Sequence, residues 1–161
     1  MAIKSKEKTI IGRAEKVSFP TLGKAIFHAR IDTGAKTSSV WATDIQETHK
    51  GLIVRFMNSE SGVYANEQVF KHFDRVRVAS SMGHEQIRYK VKMPIVIRGK
   101  RILTSFTLAD RSTQVYPVLI GRNTLRGKFI VDVSRGSPLR DEEQRRSELL
   151  QQGIDTREED V

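Results

Sequence analysis

At 161 residues, 38% hydrophobic and 29% charged, the chain has the length of one domain and the composition of a soluble globular protein. It contains no apolar run of the roughly 18 residues that a membrane helix needs, its basic start Met1–Lys8 lacks a signal-peptide core, and zero cysteines exclude disulfides, thiolate metal sites and a cysteine nucleophile. The net charge of +9 is uneven: residues 136–161 hold eight acids against four arginines, which leaves residues 1–135 at +13. So basic a body attracts polyanions, whether ribosomal RNA, other nucleic acid or an acidic polypeptide, although a plain solvated surface carries the same charge. The simplest setting for a cysteine-free chain without a leader is the cytoplasm.

In chain order, Lys24–Ile31 is a short apolar run and reads as a strand ending near Arg30. Gly51–Phe56 reads as a second strand, and Asp74–Val78 alternates charged and β-branched residues with the period of a third. Gln86–Ile97 alternates over a longer span, Gly99-Lys100 is a turn signal, and Arg101–Leu108 returns as the hairpin partner. Pro117–Ile120 and Phe129–Val133 are two short apolar strands, with one short helix expected between them at Asn123–Arg126. Strands at this density with tight turns predict an all-β sandwich or barrel. After Val133 the texture changes. Ser137-Pro138 reads as a cap and first residue of a helix running to about Gln152, and the acidic Gly153–Val161 as a frayed end. The division is therefore a β-barrel domain over 1–135 and a charged, partly helical tail over 136–161.

Few motifs carry chemistry. His28, His49, His72 and His84 lack ligand spacing, and His84-Glu85 begins an H-E-x-x-H pattern whose fifth position is Arg88. Neither a phosphate-binding glycine loop nor a G-x-S-x-G elbow occurs. What remains is Asp32-Thr33-Gly34-Ala35, an aspartate delivered at the end of a strand into a small-residue turn, and, far downstream, Leu119-Ile120-Gly121-Arg122-Asn123.

Together these two segments resemble the retropepsin-like aspartic proteases, over roughly Lys24 to Val133. In that family a D-T-G-A turn carries the catalytic carboxylate and an apolar-apolar-Gly-Arg-Asn segment crosses behind it. The resemblance implies a closed acid-protease β-barrel, a flap with its tip near Ser80, Ser81, Met82 and Gly83, no cofactor and no metal. The run Arg30–Ser39 is most similar to a bacterial group labelled "ATP-dependent zinc proteases", found alongside ATP-grasp glutamate ligases that modify ribosomal protein S6. That label fits poorly here, since neither zinc spacing nor a nucleotide loop is present.

The resemblance implies catalytic roles for Asp32, Thr33 and Gly34. It implies substrate contacts for Ala35, Lys36, Ser81, Met82, Gly83 and Arg122, and structural support from Gly121 and Asn123. Aspartic proteolysis needs two carboxylates close enough to share one proton. With a single D-T-G in the chain, the second aspartate must come from a second copy, so a homodimer is expected. Viral members carry a carboxylate where Lys36 stands, so Arg122 is expected to pair with Asp44 or Asp110 or to face substrate. Lys36 and Arg122 together favour an acidic ligand such as a glutamate tail. The alternative is a non-catalytic β-barrel module that binds an acidic or ribosomal partner.

Overall fold

The computed structural model describes residues 7–79 and 83–159. Six of its strands close a ring. In order around it they are β10 (Val118–Ile120), β3 (Ile26–Ile31), β2 (Ala14–Ser18), β8 (Glu85–Ile97), β9 (Lys100–Ala109) and β4 (Ser38–Thr48), which pairs with β10 again. A closed barrel leaves no free edge within the ring. Outside it, β5 (Gly51–Phe56) and β6 (Gln68–Phe70) extend β4, β7 (Asp74–Ala79) pairs with β8, and β1 (Thr9–Ile11) runs parallel to β11 (Phe129–Val131). Strand density alone leaves a sandwich or a barrel open, and the closed all-β barrel that the resemblance implies is the fold.

Period-two patterning explains why these segments are strands. Along β8, Val91, Met93, Ile95 and Ile97 are all at most 1% exposed, whereas Lys92 between them points out. Across the hairpin, Ile102, Phe106 and Leu108 of β9 answer from the same side. Phe19 sits between Phe106 and Phe27 at ring separations of 5.5 and 6.2 Å, and closes one end of the core. Full burial of a side chain such as Phe106 contributes about 1.5–3 kcal/mol before packing is counted. The β8–β9 turn falls one residue earlier than expected: Arg98 and Gly99 both have positive φ, 49° and 74°, and Lys100 already belongs to β9. Two successive left-handed residues match the twist of a tight hairpin.

The C-terminal helix differs from expectation at both ends. It spans Arg140–Glu159 (α2), not Ser137 to Gln152. Ser137 instead ties the chain to the barrel, its N–H donating to Ala14 O at 2.7 Å and its carbonyl accepting from His28 Nδ1 at 2.9 Å. The first helical bond is the one Glu143 N donates to Leu139 O. Asp141, Glu142 and Glu143 do occupy the first turn, where the helix dipole favours them. Gly153 does not stop the helix, since one interior glycine costs only about 1 kcal/mol against alanine. The expected flap tip at Ser80, Ser81 and Met82 lies outside the described residues.

Candidate active site

At the end of β3, Asp32 enters a turn that its own side chain organises. Its Oδ1 accepts from Gly34 N at 3.0 Å and Ala35 N at 3.1 Å, and its carbonyl also lies 3.3 Å from Ala35 N. Two backbone donors on one oxygen fix the carboxylate's direction, which is the reason short acidic side chains recur in such turns. Asp32 and Ala35 are half-buried; Thr33, Gly34 and Lys36 are exposed. A Cβ on Gly34 would meet only Asp32 Oδ1, at 3.2 Å, so nothing else in the described chain crowds that position.

β10 and α1 (Arg122–Leu125) hold the turn from behind. β10 lies between β3 and β4, parallel to one and antiparallel to the other. Asp32 N donates to Ile120 O (2.9 Å), while Arg122 N and Asn123 N donate to Ala35 O (2.8 Å) and Lys36 O (3.0 Å). Gly121 lets this happen. A Cβ there would lie 2.5 Å from Thr37 O and 3.0 Å from Ala35 O, distances at which real atoms clash. Asn123 Oδ1 accepts from Ser38 N and Oγ at 3.0 and 2.8 Å, and its Nδ2 donates to Ser105 O. Ser38 and Thr124, both fully buried, share a 2.7 Å hydroxyl bond, and Thr104 joins Thr124 at 3.0 Å. Each buried hydroxyl thus has a partner, without which burial costs about 1–3 kcal/mol.

Neither expected acid pairs with Arg122. Asp44 accepts from Tyr64 Oη at 2.7 Å, and Asp110 is engaged by Ser112, whose side chain first and backbone N (2.9 Å) second hold the Asp110 carboxyl below its usual range. Instead, Arg122 Nη1 donates to Thr33 O (3.1 Å) and Gly34 O (2.7 Å), so the guanidinium clamps the outward side of the Asp32 turn. A guanidinium can take carbonyls wherever the carboxylate it would prefer is missing.

Arg30, Arg88 and Arg111 were missed from the sequence. Burial, then the neighbouring charges of Arg30 and Arg88, push the Arg111 guanidinium below its ordinary value, and Asp32 acts in the opposite sense. Arg111 therefore sits among two other cations and within reach of one carboxylate. Arg88 Nε is buried with no hydrogen-bond partner among the described residues. The signal available in sequence was the cation at every second position of β8, Arg88, Lys90 and Lys92, which shares one face of the strand. Beside this group a cavity of about 380 Å³ opens between the barrel and α2, lined by Arg13, Arg30, Arg111, Tyr116, Glu143 and Arg146 among others. Gly83, exposed and at φ 79°, stands at the rim of the β7–β8 hairpin; Ser81 and Met82 are outside the described residues.

Comparison with known proteins agrees with this arrangement. A probable α-L-glutamate ligase from Shewanella pealeana is 32% identical over 137 residues, 81% of this chain but 30% of that protein. One from Desulfotalea psychrophila is 31% identical over 78% of this chain and 28% of its own length. The chain thus spans about a third or less of these relatives. Among solved structures, a Legionella pneumophila protein of unknown function matches with a TM-score of 0.61 and 25% identity, over 81% of this chain and 97% of that one. The sequence profile of the RimB-like family, described as the retropepsin-like aspartic endopeptidase RimB, matches residues 10–142. With the Asp32 turn, the crossing segment through Gly121 and the closed barrel all in place, the chain belongs to the RimB-like family of retropepsin-like aspartic endopeptidases.

Proposed function

We propose that the chain is an aspartic endopeptidase acting as a homodimer, with one Asp32 from each protomer, on acidic peptides such as the glutamate tails of a ribosomal protein. The observation that carries this reading is the Asp32 turn itself, fixed by Gly34, Ala35, Ile120 and Arg122, with its carboxylate half-buried at the barrel end. One carboxylate of the pair takes a proton from the attacking water while the other, protonated, donates to the peptide carbonyl oxygen. The proton then passes to the leaving nitrogen, and the dyad returns to its singly protonated state. Thr33 and Gly34 are exposed, as a turn that meets its symmetry mate requires.

Substrate preference follows from charge. Lys36 is exposed beside the turn, and Arg111, itself neighboured by Arg30 and Arg88, acts on Asp32. Around Arg111 the cations outnumber Asp32, the one acid that acts on it among the described residues, so a peptide bearing carboxylates is attracted and a basic one repelled. The relatives' names, probable α-L-glutamate ligase, support a functional link to an ATP-grasp enzyme that adds the residues this one removes. The same names favour a second reading, in which the barrel is a non-catalytic module binding an acidic or ribosomal partner within longer proteins.

A dilution series separates the two. Specific activity on an oligoglutamate peptide should fall as the protein is diluted below its dimer dissociation constant, in step with sedimentation. An active monomer contradicts the dyad, and activity absent at every concentration leaves the binding module. Lys36→Glu should raise KM for that peptide about fivefold at low salt, with the loss shrinking toward 1 M salt, where screening reaches ~3 Å. Equal effects on a neutral peptide would remove the electrostatic basis of the preference.

A further inference from the structure

The helix α2 is attached to the barrel by an unusual set of contacts. Glu143 accepts from Arg13 Nη1 through both oxygens, at 3.1 and 2.9 Å, and from Tyr116 Oη at 3.0 Å. Leu139 N donates to the same Tyr116 oxygen, and Arg146 donates to Thr113 O. No apolar seal accompanies them. Leu149, Leu150 and Ile154 are 67%, 58% and 52% exposed, so most of the stabilisation their burial could contribute is unrealised. A helix held by a few partly exposed polar contacts is drawn from the low-stability end of a structure.

What α2 covers is the arginine-lined cavity beside Asp32. Glu143 is the single carboxylate on its wall, against Arg13, Arg30, Arg111 and Arg146. Arg30, Arg88 and Arg111 have no ion-pair partner among the described residues, and Arg111 interacts electrostatically with both Arg30 and Asp32. The cavity thus adjoins the Asp32 turn through Arg30 and Ile31 and is under-supplied with negative charge.

We propose that α2 is a self-inhibiting strap in which Glu143 occupies this cavity in place of a substrate carboxylate, so that an acidic chain must displace the helix to bind. The proposal rests on the reading of Asp32 as the centre of an acidic-peptide site, and adds its regulation. The Arg13–Glu143 pair is partly open to water, with side chains 36% and 33% exposed, so solvent screens part of its attraction. A ligand carrying several carboxylates can outbid one glutamate across several arginines, whereas a neutral peptide cannot. The strap therefore filters ligands by charge density.

The test is binding of a fluorescent six-residue oligoglutamate to the full chain at low salt, read by anisotropy. Glu143→Gln keeps the side chain's volume and its acceptor for Tyr116, but removes the competing charge. It should lower the dissociation constant about fivefold. Glu148→Gln, on the same helix but outside the cavity lining, should leave it unchanged. In the wild-type protein, saturating peptide should speed amide hydrogen exchange over residues 140–154 as the strap lifts. Unchanged or slowed exchange there, or Glu143→Gln binding equally or more weakly, overturns the strap and makes α2 a wall of the site. Binding that responds as expected without any hydrolysis leaves the strap standing and fails the catalytic reading. Hydrolysis indifferent to Glu143 fails the strap alone, and an absence of binding at millimolar peptide fails both.

Discussion

Asp32→Asn is expected to reduce peptide hydrolysis at least ~1000-fold, since removing a positioned acid–base group typically costs about 10² to 10⁴ and here both members of the dyad are lost together. The amide is isosteric with the carboxylate and still offers Oδ1 to Gly34 N and Ala35 N, the two bonds that shape the turn. What it cannot do is take a proton from water or share one with its mate. The thermal midpoint should therefore stay within about 2 °C of wild type, because each kcal/mol moves a domain of this size by roughly 2–4 °C. Initial rates and a melting curve on the same preparation decide it. A folded Asp32→Asn protein that still cleaves at a tenth of the wild-type rate would sink the aspartic mechanism.

Gly121→Ala should be the most damaging single methyl group in the chain's candidate site. Its Cβ meets Thr37 O at 2.5 Å and Thr37 C at 2.6 Å, and both are backbone atoms that cannot swing away. Relief requires β10 to retreat from the turn, which breaks the bonds from Arg122 N to Ala35 O and from Gly121 N to Ser38 Oγ. Overpacking of this kind costs about 3 kcal/mol, and the melting point should drop by roughly 6–12 °C. Activity should fall further than stability explains, because the displaced segment carries the carbonyl that holds Asp32. Gly153→Ala is the internal control. Nothing lies within 4 Å of its Cβ, and it sits within α2, so the same substitution should be neutral or stabilising. A Gly121→Ala protein that melts with the wild type would mean the close approach is not rigid.

The strands visible in the sequence were those whose burial is written in apolar residues. Gly51–Phe56 reads as a strand because Leu52, Val54 and Phe56 alternate inward without interruption, and the observed β5 has those limits. β4 was not legible. Its first residues, Ser38 and Ser39, are buried yet polar, and their hydroxyls are satisfied by Thr124, Asn123 and Thr107, residues 68 to 86 positions away. No local pattern can report a bond supplied from so far along the chain. β1 and β6 are three residues each, too short for alternation, and unlike the equally short β10 and β11 they carry a polar residue, Thr9 and Gln68, in place of a wholly apolar run. The Asp32 turn was legible because its chemistry is local: an aspartate, a glycine and two backbone donors within four residues. Arg122's partner was not, because the expected carboxylates bind Tyr64 and Ser112 while the carbonyls it takes belong to the turn. The basic wall was hidden likewise, since Arg30, Arg88 and Arg111 meet only once the barrel closes.

The threading of β10 between β3 and β4 sets the order in which the molecule can mature. Val118 pairs with Ala29 on one side and Val40 on the other, partners made far earlier in synthesis. Contacts of such sequence separation carry a large loop-closure cost and form late. At the usual pace of translation, the slot between β3 and β4 stays empty for roughly 4–14 s after β4 has been made. Throughout that interval Asp32 N has no Ile120 carbonyl to bind, and the Ala35 and Lys36 carbonyls wait for amides not yet polymerised. The turn is therefore unassembled while its own ribosome is still at work on it, and the nascent chain is silent toward its surroundings until β10 and α1 have emerged.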